Sequence, residues 1–222
     1  MNIKSLAILT SKESWFVPYA KEFVRELKGK GYHSRLFHDA EKIPNKYDVI
    51  FVLSFFRLIP SHLIKKHPLF LAVHESALPQ GKGWAPLFWQ ILEGKKRIPF
   101  CLFQVNGKLD SGDFLLKEYV TFQGGELEEE IREIQATKTI QMCFKFLKLK
   151  NKLNPRKQSG KSTFYRRRSP KDSQLSLGKS LREQFDLLRI CNNEKYPAHF
   201  FSRGHKYILK IQKEKVTNEC RD

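Results

Sequence analysis

Features that would assign this 222-residue sequence to several common classes are scarce. No apolar run suits a membrane span or a signal peptide, because the N-terminal stretch has only about five apolar residues before polar ones resume. Its few cysteines lie far apart and form no CxxC pair, which argues against a zinc knuckle or a redox motif and favours reduced thiols. These are Cys101, Cys143, Cys191 and Cys220. We therefore expect a cytoplasmic protein without membrane insertion.

Acidic residues are also in short supply. There are 23 Asp and Glu against 41 Lys and Arg, which gives a formal net charge of +18. The tract from Lys145 to Arg168 is rich in lysine and arginine and contains no carboxylate. Such a surface attracts nucleic acid, an acidic membrane or small phosphorylated ligands. The charge therefore indicates a class of partner and not a function.

Strand-like and helix-like segments alternate through the first hundred residues. Residues 4–10 predict a buried strand, and apolar residues recur at helical spacing in 15–31. Residues 47–55 and 69–75 are almost continuously apolar, as expected of strands that helices cover on both faces. We therefore predict an α/β fold with a Rossmann-like, open, mostly parallel sheet flanked by helices.

The second half predicts a hairpin, a long helix and a small extension. Residues 98–105 and 113–122 are strand-like and are joined by NGKLDSG, which has turn chemistry. Residues 126–150 predict a long helix that closes the main domain. We predict a first domain over residues 1–150, and a basic linker with a small C-terminal helix and β-hairpin over 151–222.

Two motifs resemble known signatures without completing them. HES at 74–76 begins like HExxH, but the second histidine would fall on Leu78. SGKS at 159–162 resembles the end of a phosphate-binding loop, but the earlier glycine would fall on Pro155. We predict neither a metal site nor a phosphate loop of that type.

His74 stands at the carboxyl end of a predicted strand, where open α/β sheets bind ligands. Asp110 and Asp113 lie in a second loop, KLDSGDF, which follows another strand and can reach the same crevice. A carboxylate beside a histidine orients the ring and favours its protonated form, which makes a workable general base. A purely structural histidine is the competing interpretation.

Residues 74–116 resemble the core of the folate-dependent formyltransferases. In that family a strand ends in Asn-x-His, a loop of the type PSLLPxxxG precedes a helix, and a DxGD or DxGP loop follows. This sequence has HESALPQGKG and DSGD in the same order and at matching spacing. The variant HExxLPxGKGWxPLxWQILEGK and the tail from FYRRRSPKDS onward are most similar to the sugar N-formyltransferase branch, in particular to enzymes of pseudaminic-acid-type pathways.

The resemblance implies transfer of a formyl group from N10-formyltetrahydrofolate to the amine of a nucleotide-linked amino sugar, for a bacterial surface or flagellin glycan. It implies that His74 takes or relays the proton and that Asp110 orients and supports it, without a metal. Formyl-folate would lie against Phe55, Arg57, Leu58, Ile59 and Asp113. The nucleotide sugar would contact Lys82, Gly83, Trp84, Tyr165 and Arg166.

Plainer interpretations of these nucleotide-sugar contacts remain open. A loop shaped by glycines can bring Lys82 to a diphosphate. Alternatively, Gly81 and Gly83 merely shape a turn and Lys82 lies in solvent. Trp84 packs on the hexose or the folate, or it belongs to the core.

One position departs from the family pattern. The family asparagine, two residues before the histidine, would fall on Ala72. In relatives that amide donates to the oxygen that becomes negative at the tetrahedral stage, a contribution of roughly 10²- to 10³-fold. The candidates to replace it are protonated His74, Ser76, Gln90 and a backbone amide.

Two other functions remain open. Methionyl-tRNA formylation suits a basic chain, but those enzymes carry a further β-barrel domain, and the residues after 150 predict a helix and a hairpin instead. A non-catalytic protein would bind nucleic acid through the basic tract, with stacking by Phe164 and Tyr165. Nucleic acid is not the partner we expect. A homodimer through the hairpin predicted at 198–216 is left open.

Overall fold

The computed structural model describes residues 2–214 and is organised by a six-stranded sheet. The strands of this sheet are β1 (Ser5–Leu9), β2 (His33–Phe37), β3 (Val49–Val52), β4 (Phe70–His74), β6 (Arg97–Gln104) and β7 (Phe114–Thr121). Their order is β2-β1-β3-β4-β6-β7. β1 to β4 are mutually parallel, and β6 is antiparallel to both of its neighbours. The predicted α/β fold with an open, mostly parallel sheet is confirmed.

The helices cover both faces of this sheet. They are α1 (Val17–Gly29), α2 (Ser61–Lys66), α3 (Pro86–Leu92), α4 (Glu128–Leu149) and α5 (Phe185–Arg189), with single 3₁₀ turns at Ala40–Lys42, Lys150–Lys152 and Pro170–Ser173. None of these helices, which all lie within residues 2–214, has the length and apolar character needed to cross a membrane. The predicted long helix corresponds to α4, and the predicted hairpin corresponds to β6 and β7.

Side chains along β4 alternate between the two faces of the sheet. Leu71 and Val73 contribute to the large core that includes α1, α3 and α4. Phe70 packs in the core that includes α2, and Ala72 packs against residues of β6 on the same side. Because side chains alternate along a strand, His74 follows Phe70 and Ala72 onto this second side. The residue after it, Glu75, is directed toward α4.

The C-terminal extension has its own small apolar cluster, which includes Leu175 and Leu188. The predicted small C-terminal helix is α5, which is short because the Gln184 side chain bonds to the backbone of Ser176 and Lys179 and so holds the preceding turns. β9 (Ala198–Ser202) and β10 (His205–Leu209) form the predicted hairpin. The division of the chain near residue 150 stays a prediction.

The ends of the chain limit two sequence predictions. Cys220 and the last residues of the predicted hairpin, Lys215 and Val216, lie outside the described residues. The other three cysteines are buried free thiols.

The basic tract begins inside α4 and then crosses the surface toward the loop before α3. Within it, Arg156 forms a bridge with Phe114 of β7. β8 (Phe164–Tyr165) then pairs in parallel with β5 (Lys82–Gly83). The tract predicted as a basic linker therefore packs along the QGKGW loop.

Glu118 of β7 joins the sheet to α4 through ion pairs with Lys138 and Lys145. Burial by itself raises the pKa of this carboxyl. The hydrogen bonds from both lysines lower the pKa by more than burial raises it, so the pKa lies below the ordinary value. A group with a lowered folded pKa stabilises the fold above its unfolded pKa, and this stabilisation is lost as the pH falls. We expect Glu118→Gln to lower Tm by about 2–4 °C near pH 7 and to change it little near pH 3.

Thermal denaturation across this pH range tests the prediction. The exposed Glu133, also on α4, provides the control variant Glu133→Gln, which should leave Tm unchanged at both pH values. An equal loss of Tm near pH 7 and near pH 3 for Glu118→Gln would contradict the assigned charge effect.

Candidate active site

A cavity of about 440 Å³ opens at the carboxyl ends of β3 and β4. Its wall is built from residues after these strands, the loop before α3, the loop between β6 and β7, and one side of α4. Ligands of open parallel sheets bind at this edge, and cavities of roughly 300–1,000 Å³ suit small molecules. The fold therefore supplies a small-molecule site where the sequence places its candidate residues.

His74 ends β4 and contributes to the cavity wall with only 7% of its surface exposed. Its Nε2 lies 2.8 Å from the carbonyl oxygen of Gly81. A carbonyl can only accept, so Nε2 carries the hydrogen and Nδ1 of the neutral ring presents a lone pair. Nδ1 lies 3.8 Å from Oδ2 of Asp110. The ring therefore has one atom that can take a proton, and a carboxylate faces that atom.

Asp110 is held in place by parts of the chain that are distant in sequence. Its backbone is left-handed, with φ of 43°. Its Oδ2 accepts a hydrogen bond of 2.9 Å from the Gly83 amide in the loop before α3. Gln158 of the basic tract donates from Nε2 to the carbonyls of Asp110 and Gly112, at 2.9 and 2.8 Å. The carboxylate therefore has a defined position beside the His74 ring.

The β5–β8 pair shapes the loop before α3. The Lys82 amide donates to the Thr163 carbonyl at 2.9 Å, and the Trp84 amide donates to the Tyr165 carbonyl at 3.0 Å. Gly83 has φ of +98°, and a Cβ at this position would lie 2.4 Å from the Tyr165 carbonyl oxygen. Only glycine permits both this conformation and this close approach. The basic tract is therefore part of the architecture of the site.

Most of the residues predicted from the sequence meet at this cavity. Those on its wall are Phe55, Arg57, Leu58, Ile59, His74, Gly83, Trp84 and Asp110. The wall does not include Lys82, Asp113, Tyr165 and Arg166. The contacts of these four with folate or nucleotide sugar stay predictions, and the structure gives them other partners.

Lys82 and Asp113 lie beside the cavity. Lys82 is only 7% exposed, with Nζ 3.3 Å from the Ser111 hydroxyl and 6.0 Å from the centre of the Phe164 ring. The plainer interpretation, in which Lys82 lies in solvent, is therefore wrong. The backbone carbonyl of Asp113 accepts a hydrogen bond of 2.8 Å from the Gln104 amide and so closes the β6–β7 loop.

Tyr165 and Arg166 hold the basic tract against α3. The Tyr165 ring stacks on Trp89 with 6.1 Å between ring centres, and its hydroxyl donates to Glu93 at 2.7 Å. Burial, and then the hydrogen bond to Glu93, raise the pKa of Tyr165. The Arg166 guanidinium pairs with Asp172 and lowers the pKa of that carboxyl. Both side chains therefore have a structural role in this state of the protein.

The part of the wall formed by α4 was not predicted. It consists of Arg132, Gln135 and Thr139, polar residues at helical spacing on the inward face of the helix. That spacing is the signal by which the sequence could have shown them. The Arg132 guanidinium lies 4.4 Å from the Trp15 ring and 4.3 Å from the Phe88 ring, and burial lowers its pKa.

Comparison with known proteins agrees with this geometry. The model of the formyl transferase family matches residues 22–144, which is more than half of the chain. The chain belongs to this family. The matched region includes both His74 and Asp110, and the family assignment made from the sequence is confirmed. The donor used by this family is N10-formyltetrahydrofolate.

The names of individual relatives describe different kinds of formyltransferase. The methionyl-tRNA formyltransferase of Rickettsia massiliae is 27% identical over 82% of this chain and 61% of the relative. The chain thus spans about three fifths of that curated relative. The structure of a methionyl-tRNA formyltransferase from Clostridium thermocellum is 24% identical, with a TM-score of 0.77, and covers 96% of this chain and 94% of its own. A 4-N formyltransferase from Francisella tularensis is 20% identical, with a TM-score of 0.67, covering 96% and 99%. The two structures show the shared fold.

Proposed function

We propose that this protein transfers a formyl group from N10-formyltetrahydrofolate to the amine of a nucleotide-linked amino sugar. The observation that carries the proposal is the pairing of His74 Nδ1 with the Asp110 carboxylate, 3.8 Å apart, on the cavity wall of a formyl transferase family member. The amine nitrogen bonds to the formyl carbon, and His74 Nδ1 takes the proton that the amine loses. The bond from that carbon to N10 then breaks, and the proton passes to N10 of the departing tetrahydrofolate.

The negative charge at the tetrahedral stage needs a donor other than the family amide. Ala72 lines the cavity and offers only a methyl group. Gln90 is engaged elsewhere, since its Nε2 donates to two backbone carbonyls at 2.5 and 3.0 Å. Ser76 is buried and does not contribute to the cavity wall. Of the side chains considered, protonated His74 remains, and we assign the role to its Nδ1–H.

We expect Ala72→Asn to raise kcat by about 10-fold, because it adds an amide donor where Ala72 lines the cavity. The expected gain is smaller than the loss seen on deleting such a donor, because His74 already serves the same oxygen. The matched control is Ala72→Leu, which adds similar volume without a donor. Steady-state formylation rates compare the variants. Equal rates for the Asn and Leu variants would show that an amide donor at this position does not assist the reaction.

The wall formed by residues after β3 suits the folate donor. Phe55, Leu58 and Ile59 offer apolar surface to a flat pteridine, and Leu58 is 61% exposed. The Arg57 guanidinium lies 5.3 Å from the Phe55 ring at the edge of this surface. It supplies positive charge for the anionic glutamate tail of the folate.

Support for an amino-sugar acceptor comes from the loop that follows His74. HESALPQGKGW is similar to the loop of the sugar N-formyltransferase branch. The net charge of +18 also suits the diphosphate of a nucleotide sugar. We further propose that the reaction serves glycan biosynthesis in the cytoplasm, a reducing compartment in keeping with the buried free thiols.

Methionyl-tRNA is the second candidate acceptor, because curated relatives of 26–31% identity carry that activity in their names. The same charge would also attract tRNA. A non-catalytic nucleic-acid-binding role is less well supported. Arg166 pairs with Asp172, and the Arg167 guanidinium lies 4.9 Å from the Trp84 ring, so part of the basic tract is engaged within the protein.

The deciding experiment supplies N10-formyltetrahydrofolate together with either a panel of nucleotide-linked 3-amino and 4-amino sugars or methionyl-tRNA, and measures formylated product by mass spectrometry. We expect product from at least one amino sugar and none from methionyl-tRNA. Thermal shift with 5-formyltetrahydrofolate measures donor binding separately. Product from methionyl-tRNA alone would establish the second candidate. Absence of both product and folate binding would reject a formyltransferase.

A further inference from the structure

The transfer chemistry leaves one polar wall of the cavity without a role. Ala72 and His74 lie on one side of β4, while Glu75 is directed toward α4 on the other. Glu75 lines the same cavity as His74, together with Gln135 and Thr139. The carboxyl edge of the strand therefore presents two groups of side chains to one cavity. The group that contains His74 handles the proton in the proposed reaction. The group that contains Glu75 contacts the part of the ligand that lies against α4.

The Glu75 carboxylate is held in one orientation by a directed chain of hydrogen bonds. Arg132 donates from Nε to Glu128 at 3.0 Å and from Nη1 to the Gln135 side-chain oxygen at 3.0 Å. The Gln135 amide nitrogen then donates to Oε1 of Glu75 at 2.6 Å. Because the guanidinium only donates, it fixes which end of the Gln135 amide faces the carboxylate. Oε1 therefore already accepts one hydrogen bond.

The second carboxylate oxygen, Oε2, makes no hydrogen bond within residues 2–214, although Glu75 is half-buried in the cavity wall. An ionised carboxylate accepts hydrogen bonds and donates none, so its ligand must present O–H or N–H groups. Trp15 lines the same side of the cavity and provides apolar ring surface. An aromatic ring beside a fixed carboxylate suits a polyhydroxylated ring better than an aliphatic chain.

We propose that Glu75 is an acceptor-binding residue whose free oxygen accepts a hydrogen bond from a ring hydroxyl of the amino sugar, with Gln135 and Arg132 as positioning residues. This inference rests on the proposed amino-sugar acceptor. Sites built to bind a hydroxyl reject analogues that lack it, so Glu75 distinguishes amino sugars by the hydroxyl that it contacts.

Steady-state kinetics with the best amino sugar of the panel tests the assignment. We expect Glu75→Ala to lower kcat/KM for the sugar by about 10²-fold, mainly through KM, and to leave KM for N10-formyltetrahydrofolate unchanged. Glu75→Gln keeps a neutral acceptor and should lose about 10-fold. The control is Glu133→Ala, an exposed carboxylate on α4 whose removal should change neither constant.

A deoxy analogue of the same sugar separates binding from a merely structural role. On the native protein, loss of the contacted hydroxyl should lower kcat/KM about as much as Glu75→Ala does, and on Glu75→Ala it should cause no further loss. Additive losses for every deoxy analogue would overturn the proposal. An equal rise of KM for the sugar and for N10-formyltetrahydrofolate, together with a lowered Tm, would also overturn the proposal. That pattern would mean that Glu75 has only a structural role, through its hydrogen bond to Gln135.

The native protein distinguishes the two possible failures before any variant is made. If it formylates an amino sugar and Glu75→Ala leaves the sugar KM unchanged, the inference is wrong while the proposed function stands. If it formylates no amino sugar, the proposed function fails, and the role of Glu75 fails with it.

Discussion

His74→Ala is expected to lower kcat for formyl transfer by roughly 10²- to 10⁴-fold, the usual contribution of a positioned general base. The ring has one free lone pair, on Nδ1, because Nε2–H is bonded to the Gly81 carbonyl. Asp110 Oδ2 already accepts a hydrogen bond from the Gly83 amide and faces Nδ1, so we assign it to support of the charged ring and not to removal of the proton. Rates with N10-formyltetrahydrofolate and the best acceptor measure the loss.

The controls for this variant separate chemistry from folding. Removing the ring leaves the Gly81 carbonyl without its donor, which costs about 1–3 kcal/mol of stability, so Tm is measured alongside kcat. Added imidazole should restore part of the turnover of His74→Ala. His62→Ala removes an exposed histidine outside the cavity and should leave kcat unchanged. A folded His74→Ala protein with near-native turnover would refute the assigned role.

Asp110→Asn is expected to lower kcat by about 10²-fold with little change in stability. Asparagine has nearly the same shape, and its side-chain oxygen can still accept the hydrogen bond that Gly83 donates to Oδ2. What disappears is the negative charge 3.8 Å from His74 Nδ1, which favours the protonated ring during the reaction. The expected pattern is therefore a native Tm, a nearly unchanged KM for both substrates and a large loss of kcat.

Asp113→Asn is the matched comparison for this variant. Asp113 lies in the same loop, but the cavity wall does not include it. If it nevertheless binds folate, as predicted from the sequence, its variant should raise KM for N10-formyltetrahydrofolate without lowering kcat. Similar losses of kcat in both variants would mean that the total charge of the loop matters, and not the pairing of Asp110 with His74.

His74 and Asp110 could be predicted as site residues because each lies in a local sequence pattern. The apolar run before His74 identifies a buried strand, and a parallel sheet places the carboxyl end of such a strand at the ligand-binding edge. β6 is antiparallel to β4 and ends beside the start of β4, so the sequence marks the KLDSGD loop as a candidate, and only its packing brings Asp110 to His74. The partners of Lys82, Tyr165 and Arg166 could not be predicted, because they depend on where the basic tract packs.

The α4 wall shows the same limit more sharply. The spacing of Arg132, Gln135 and Thr139 indicates a polar stripe on a helix, but α4 comes more than fifty residues after Glu75 in the chain. Only packing of α4 on the sheet brings Gln135 within 2.6 Å of Glu75. A cluster assembled from distant segments leaves no local pattern to detect.

The sequence by itself determined the α/β class and membership of the formyl transferase family, and it pointed to His74 and Asp110 as the pair that we propose handles the proton. These follow from apolar periodicity and from motifs whose spacing lies within single loops. The tertiary structure decided which atom of His74 is free, how the basic tract fixes Gly83, and that Glu75 faces α4 on the cavity wall. Those features depend on contacts between segments far apart in the chain, and such contacts exist only once the core has packed.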